Sequence, residues 1–240
     1  MIENKRVLCL IPAKGRSTGL IGKNAKPLFG KPLVAWPITT ALNSRFIDKV
    51  IVSTDSETIT RIATGYYVET IKRPAELAQD ESSTLSVIEH ALEDLAERGE
   101  EFEYLVLLEA TSPLTEPHDV DSALLYLHGN RTLADAVVSV AKVTTSHPDF
   151  CAERHVNGLL YPLETKRRQD VSDLYYPDGS FYISSITELL QQQSFYHERT
   201  LSVVMPKYKT LEIDDLVDLA CIEGILVRLE DLKPLMHNIY

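Results

Sequence analysis

The sequence predicts an α/β fold with a mostly parallel sheet flanked by helices, and three observations carry that expectation. Short apolar, β-branched runs alternate with longer stretches of helical period, the pattern of βαβ units. The first apolar run, Val7-Leu8-Cys9-Leu10-Ile11-Pro12, enters a loop holding Gly15, Gly19 and Gly22, as a buried strand feeding a ligand loop would. No internal repeat and no long linker interrupts the chain, so residues 1–240 read as one domain.

Strands are expected at Arg6 to Ile11, Lys49 to Ser53, Tyr67 to Ile71, Tyr104 to Leu108 and Ala136 to Val140. Between them, helical period covers Leu33 to Asn43, Glu57 to Gly65, Ser83 to Arg98 and Pro117 to His128. Thr54-Asp55-Ser56 and Ser82-Ser83-Thr84 read as N-cap clusters, and Gly99 ends the third helix. Residues 144–180 carry His147-Pro148, Gly158, Pro162, Lys166-Arg167-Arg168 and Pro177-Asp178-Gly179, and read as an irregular, partly stranded excursion. Order resumes with strands at Ser180 to Ser184 and Thr200 to Val204 around a helical segment, Thr187 to Gln193. A short extended run, Lys209 to Ile213, then leads into an amphipathic helix from Asp214 to Leu229.

The chain has 240 residues and a formal net charge of −11, with 25% charged and 44% hydrophobic residues, which gives no warrant for disorder. Such acidity excludes nucleic acid as the main partner, since phosphate-backbone binding wants a broad basic surface. Cys9, Cys151 and Cys221 lack any C-x-x-C spacing and read as three small buried hydrophobes in a reducing cytoplasm. No apolar run approaches the ~18 residues of a membrane span, and the run after Lys5-Arg6 is shorter than a secretory h-region, so the expected setting is cytoplasmic, with no membrane partner. The seven histidines show no metal spacing and receive no role.

Charge is distributed unevenly. Residues 4–47 contain Lys5, Arg6, Lys14, Arg16, Lys23, Lys26, Lys31 and Arg45 and no Asp or Glu. Glycines and cations in one loop suit a polyphosphate: backbone N–H groups approach the oxygens and the cations neutralise them. Gly15-Arg16-Ser17-Thr18-Gly19 also matches the G-x-S-x-G elbow of serine hydrolases, but Gly19, Gly22 and Pro27 argue against the helix that must follow, and His237 is a poor triad partner. The Walker A spacing fails, and G-x-G-x-x-G is absent.

A fourth template fits. The stretch Ile11 to Asn24, followed by Lys26-Pro27-Leu28 and Gly30-Lys31-Pro32-Leu33, resembles the signature of the N-acylneuraminate cytidylyltransferases, the CMP-sialic acid synthetases. The likeness continues in order through Ile51-Val52-Ser53-Thr54-Asp55, Lys72 to Ala78, Leu107 to Leu114, Pro177 to Ile183 and Glu212-Ile213-Asp214. It implies a Rossmann-like nucleotidyltransferase fold that transfers CMP from CTP to the anomeric hydroxyl of a 2-keto-3-deoxy sugar acid and releases pyrophosphate. It also implies that Lys14 and Lys23 hold the triphosphate with Ala13, Gly15, Ser17 and Asn24 in the same loop, and that Arg73 and Thr84 read cytosine and ribose. Glu212 and Asp214 correspond to metal carboxylates for Mg²⁺ or Mn²⁺, with Asp214 counted as catalytic beside Lys14 and Lys23. Read from the residues alone, Glu212-Ile213-Asp214-Asp215 is equally a helix N-terminus, where acids complement the dipole.

On the sugar side the resemblance points to Glu109, Thr111, Ser112, Arg168, Asp178 and Tyr182. Several positions depart from the family. Lys14 stands for Arg, Glu212 for Asp, Glu109 for Gln, Asp178 for Asn and Tyr176 for Arg, and Phe150 falls near an expected Lys. These changes imply a sialic-acid-like nonulosonate of legionaminic or pseudaminic type, or another amino-substituted acid, whose amine would pair with Glu109. The excursion at 144–180 corresponds to the segment by which such enzymes form homodimers, with Arg168 acting in trans. Two rivals stand beside this reading. One is a 3-deoxy-manno-octulosonate cytidylyltransferase; the other is a catalytically silent nucleotide-binding homologue.

Overall fold

A computed structural model describes residues 1–17, 19–161, 166–229 and 231. Strand β1 (Val7–Pro12) leads to a two-strand hairpin, β2 (Pro27–Leu28) and β3 (Lys31–Pro32), and to helix α1 (Ala35–Leu42). Then follow β4 (Lys49–Thr54), α2 (Glu57–Gly65), β5 (Glu69–Lys72), α3 (Thr84–Glu97), β6 (Tyr104–Leu107), α4 (Pro117–Gly129) and β7 (Ala136–Lys142). The chain continues through β8 (Tyr175–Ser185), α5 (Ile186–Gln192), β9 (Thr200–Val204) and α6 (Leu216–Val227).

The main sheet has the order β5-β4-β1-β6-β8-β7-β9. All its pairings are parallel except those of β8, which runs against both β6 and β7. Strand order reverses at β1, with β4 on one side and β6 on the other. In open α/β sheets the crevice beyond the carboxyl ends of such strands is where ligands bind.

β1 is central because it is apolar on both faces. Val7, Cys9 and Ile11 pack with Ile38, Ile59, Val120 and Leu124 of α1, α2 and α4, while Leu8 and Leu10 pack with Ile88, Ala91 and Leu95 of α3. Each such Leu or Ile contributes roughly 1.5–3 kcal/mol through burial, so no surface placement of β1 competes. A third cluster joins Leu20 of the glycine loop, Leu28 and Leu33 of the hairpin, Leu114, Ile213 and Ile222 of α6. That cluster brings the N-terminal loop against the segment carrying residues 212–214.

Several sequence expectations need correction. β5 starts at Glu69 rather than Tyr67, because Tyr67 takes a left-handed φ of 58° just after α2. β8 begins at Tyr175, so the last residues of the expected excursion belong to the main sheet; the rest holds short turns at Pro148–Phe150 and Arg168–Asp170 and an Arg154–Leu160 bridge. Residues 209–213 form no strand. Lys207–Lys209 is a 3-10 turn, and the buried Lys209 ammonium lies 2.7 Å from Glu116 Oε2 and 2.6 Å from Asp119 Oδ2. Of the cysteines only Cys9 is buried; Cys151 and Cys221 are exposed. Pro162, Thr18 and His237, named above, lie outside the described residues.

Candidate active site

The glycine loop is shaped by close approaches to its neighbours. Ala13, wholly buried, donates its amide to Ser53 O at 2.9 Å and continues the β1–β4 ladder. Gly15 leaves room for no side chain, since a Cβ there would sit 2.9 Å from Ser56 Cβ. Its amide donates to Asp55 Oδ1 at 2.7 Å, which ties the loop to the end of β4. Gly19 abuts the second segment, where a Cβ would lie 2.8 Å from Asp214 O. Asn24 is buried, and its Nδ2 donates to Lys14 O at 2.9 Å, which holds the loop in place. Lys23 Nζ lies 3.0 Å from Asp214 Oδ1, and Lys14 pairs with Asp80.

The acid-free stretch does not converge as a whole. Arg6 pairs with Glu100 at 3.5 Å, Arg45 with Asp121 at 3.4 Å, and Lys31 sits 4.7 Å from the Trp36 ring centroid. Lys5 pairs with Glu103 at the opposite end of the sheet from the loop. Lys14 and Lys23 are the members that face the crevice.

A cleft of about 480 Å³ opens beyond β1. Lys14, Ser17, Lys23 and Asn24 of the N-terminal loop line it together with Arg73, Thr84, Glu109, Thr111 and Asp214. Arg73 is buried; its guanidinium donates to Ser53 Oγ at 3.2 Å and to Ser53 O at 2.9 Å. Burial lowers its pKa while Asp55 opposes that, and the residue lines the cleft. Thr84 is the exposed first residue of α3, directly after the Ser83 N-cap. A second cleft of about 250 Å³ shares Thr84 and Glu109 with the first and is lined by Tyr182, Phe195 and Tyr196.

The 210–215 segment is pinned by Ile213, wholly buried, whose amide donates to Thr111 O at 2.9 Å. Asp215 is the N-cap of α6, accepting from the amides of Val217 at 2.7 Å and Asp218 at 3.0 Å. The helix-start reading therefore holds for Asp215, while Asp214 lines the cleft and the Glu212 carboxylate lies against Gly179. Glu212 is pushed up to about 7, first by burial and then by Glu109, Asp214 and Asp178, with Lys23 opposing. Burial also raises Glu109, against a hydrogen bond from Thr111, and raises Asp178.

Asp178 and Ser112 are buried and line neither cleft. Asp178 Oδ1 accepts from Ser180 N at 3.2 Å, and Ser139 and Ser180 partly offset the effect of burial on its carboxyl. Ser112 donates to Gly179 O at 3.0 Å. Gly179, at φ 71°, leaves the Glu212 carboxylate space that any Cβ would take. The Tyr182 hydroxyl is raised strongly by burial. Arg168 opens a 3-10 turn, and its side chain lies outside what is described.

The raised Glu212 fixes a stability trend. A carboxylate whose folded pKa exceeds its unfolded value contributes stability that is present below the unfolded pKa and lost as pH rises through the folded one. Metal-free Glu212→Gln is therefore expected to melt about 3 °C above the wild type at pH 8 and to approach it at pH 4, read by thermal unfolding. Equal offsets at both pH values would contradict this.

Among the described residues no group of three His, Cys, Asp or Glu is arranged to hold a metal ion. Glu212 and Asp214 fit a different arrangement. They are hard oxygen donors with a single cation, Lys23, against them, which suits an ion held by one or two carboxylates and completed by substrate phosphates and water. The sequence pattern did not point to Phe195 and Tyr196, whose only local signal is adjacent aromatics just after a helix, or to Gln79 and Ser82 on the rim of the first cleft.

A family model described as cytidylyltransferase matches residues 8–223. The N-acylneuraminate cytidylyltransferase of Streptococcus agalactiae is 33% identical over 225 residues, covering 91% of this chain and 53% of that protein. The CMP-N,N'-diacetyllegionaminic acid synthase of Legionella pneumophila is 30% identical over 227 residues, 92% of this chain and 96% of its own. The chain thus spans about half the length of the first curated relatives it matches and nearly all of the Legionella protein. A solved CMP:2-keto-3-deoxy-manno-octonic acid synthetase complexed with CTP superposes with a TM-score of 0.68 at 14% identity, over 93% of this chain and 99% of that one, a likeness of fold.

Proposed function

The chain belongs to the cytidylyltransferase family and has its Rossmann-like nucleotidyltransferase fold, and from that premise we propose that it transfers CMP from CTP to the anomeric hydroxyl of a sialic-acid-like 2-keto-3-deoxy sugar acid, releasing pyrophosphate. The observation that carries this reading is a pair of clefts that share Glu109 and Thr84, one lined by two lysines and one by aromatic rings. A polyphosphate suits the first and a sugar the second. The sugar's hydroxyl would then meet the α-phosphate where they join.

Such a transfer is mostly positioning and charge neutralisation. Lys14 and Lys23 face the triphosphate, and both are paired with carboxylates before it arrives, so CTP exchanges these partners for its own oxygens. Arg73 and Thr84 face the cytosine and ribose. Glu212 and Asp214 would hold Mg²⁺ or Mn²⁺, which supplies further neutralisation of the phosphates. Tyr182, Glu109 and Thr111 face the sugar; Ser112 holds Gly179 O, and the Asp178 carboxylate acts on Glu212 as a neighbouring like charge.

The reading extends to a homodimer. Val156, Leu159, Leu160, Tyr175 and Tyr176 are all exposed in or beside the excursion, and a second copy would cover them and bring Arg168 toward the partner's sugar cleft. Sedimentation at micromolar concentration is expected to give a dimer, and a Leu160→Glu variant a shift toward monomer; a wild-type monomer would remove this part. Among the described residues no helix is long and apolar enough to cross a membrane, and CTP consumption supports a cytoplasmic setting.

Pyrophosphate release tests the proposal, with CTP, UTP and ATP each offered beside a panel of 2-keto sugar acids. Release with CTP and a nonulosonate is expected. Release with 3-deoxy-manno-octulosonate alone would favour the shorter sugar, and CTP binding without release from any member would favour a silent homologue.

A further inference from the structure

Glu109 is a carboxylate placed where a cation is missing. Its carboxyl borders both clefts, yet the hydrogen bond it accepts is a long one, from Thr111 Oγ1 at 3.4 Å. Lys23, the nearest cation acting on it, is committed to Asp214 at 3.0 Å. Among the described residues Glu109 makes no ion pair.

The second cleft presents rings around this group. Tyr182 and Phe195 have centroids 5.4 Å apart at 41°, and Tyr182 and Tyr196 are edge-on at 6.2 Å and 90°. The charge of Glu109 reaches both phenols, so the rings and the carboxylate bound the same space. Aromatic faces with a carboxylate between them attract a cation, and more strongly where water is thin. A neutral acyl group entering there would leave the buried carboxylate without compensation, which costs more than the contact returns.

Resting on the function proposed above, we infer that the second cleft selects a sugar acid bearing a basic nitrogen, an amine or amidine, which donates to Glu109 between Tyr182 and Tyr196. Glu109 is thus the specificity-determining residue. The ionised partner keeps Glu109 charged, and its N–H donors replace the water that the rings exclude.

The test uses two probes matched in shape, a nonulosonate carrying an acetamidino group and the same sugar carrying an acetamido group. Pyrophosphate release from CTP and Mg²⁺ is measured for wild type and Glu109→Gln. The wild type is expected to favour the amidine in kcat/KM by about tenfold or more, and Glu109→Gln to favour the amide. Wild-type preference for the amide, or equal use of both, overturns the inference while leaving the reaction class standing. A preference for the amidine that survives Glu109→Gln overturns it too, because the selection then lies elsewhere. No release with either probe or any other sugar acid removes the proposed function and this inference with it. The wild-type ratio alone decides the case against the inference where the amide is preferred or both are used equally, so that result does not depend on how well the variant folds.

Discussion

Asp214→Ala is expected to lower turnover with CTP and Mg²⁺ by about 10²-fold or more while leaving the melting temperature nearly unchanged. Its side chain is 75% exposed, so its removal leaves no buried cavity. Its backbone amide, which donates to Asp218 Oδ2 at 2.9 Å, survives the substitution. What disappears is the ion pair with Lys23 and one of the two carboxylates proposed above to hold a metal ion. Surface changes of this kind usually alter stability by within about 0.5 kcal/mol, so a large kinetic loss with an unaltered melt assigns the residue to chemistry. Near-wild-type turnover would contradict a catalytic role, and a collapse in stability would show that Asp214 is structural.

Lys23→Met is expected to cost about 10²–10³-fold in kcat/KM for CTP, more than Lys14→Met. Methionine keeps the apolar stem of the side chain, which is only 15% exposed, and removes only the charge. Lys23 stands against Asp214, Glu109 and Glu212 at once. Without it these carboxylates lose the cation nearest them and repel an incoming triphosphate more strongly. Lys14 pairs with Asp80 on the outer side of the cleft and is 29% exposed, so its loss is felt through more water. Steady-state kinetics in CTP for the two variants checks the ranking, and an equal or larger effect at Lys14 would reverse the roles of the two lysines.

Local sequence determines much of this fold. α2 has the expected bounds, Glu57–Gly65, because the Ser56 cap and the apolar pair Ile59 and Ala63 leave no alternative register. β1 was legible because a continuous apolar run of six residues that ends at Pro12 and a glycine loop is too short for a buried helix and suits a strand buried on both faces. β8 was cut short because Pro177-Asp178-Gly179 reads as a turn. In the structure a register shift between Val138 and Val140 lets β7 accommodate those residues inside a strand. Lys209 to Ile213 alternates like a strand, but the Lys209 ammonium is drawn to Glu116 and Asp119 on α4, a pairing no local pattern announces.

The site divides along the same line. Lys14, Lys23 and Asn24 lie in one loop, and a reader of the sequence meets them together. The second cleft is assembled from Glu109 after β6, Tyr182 in β8 and Phe195-Tyr196 after α5, segments that meet only once the sheet is formed. The charge pattern misled in part. Arg6, Lys5 and Arg45 belong to the acid-free stretch by sequence, yet each is held by an acid from elsewhere in the chain.

The central claim is that one bond, between the α- and β-phosphates of CTP, breaks as a bond to a sugar oxygen forms. Phosphorus NMR of the protein with CTP, Mg²⁺ and an accepted 2-keto sugar acid reads this directly. The triphosphate signals are expected to be replaced, in equal amounts, by pyrophosphate and one CMP phosphodiester. CDP with inorganic phosphate, or unchanged CTP under conditions where it is bound, would contradict the claim.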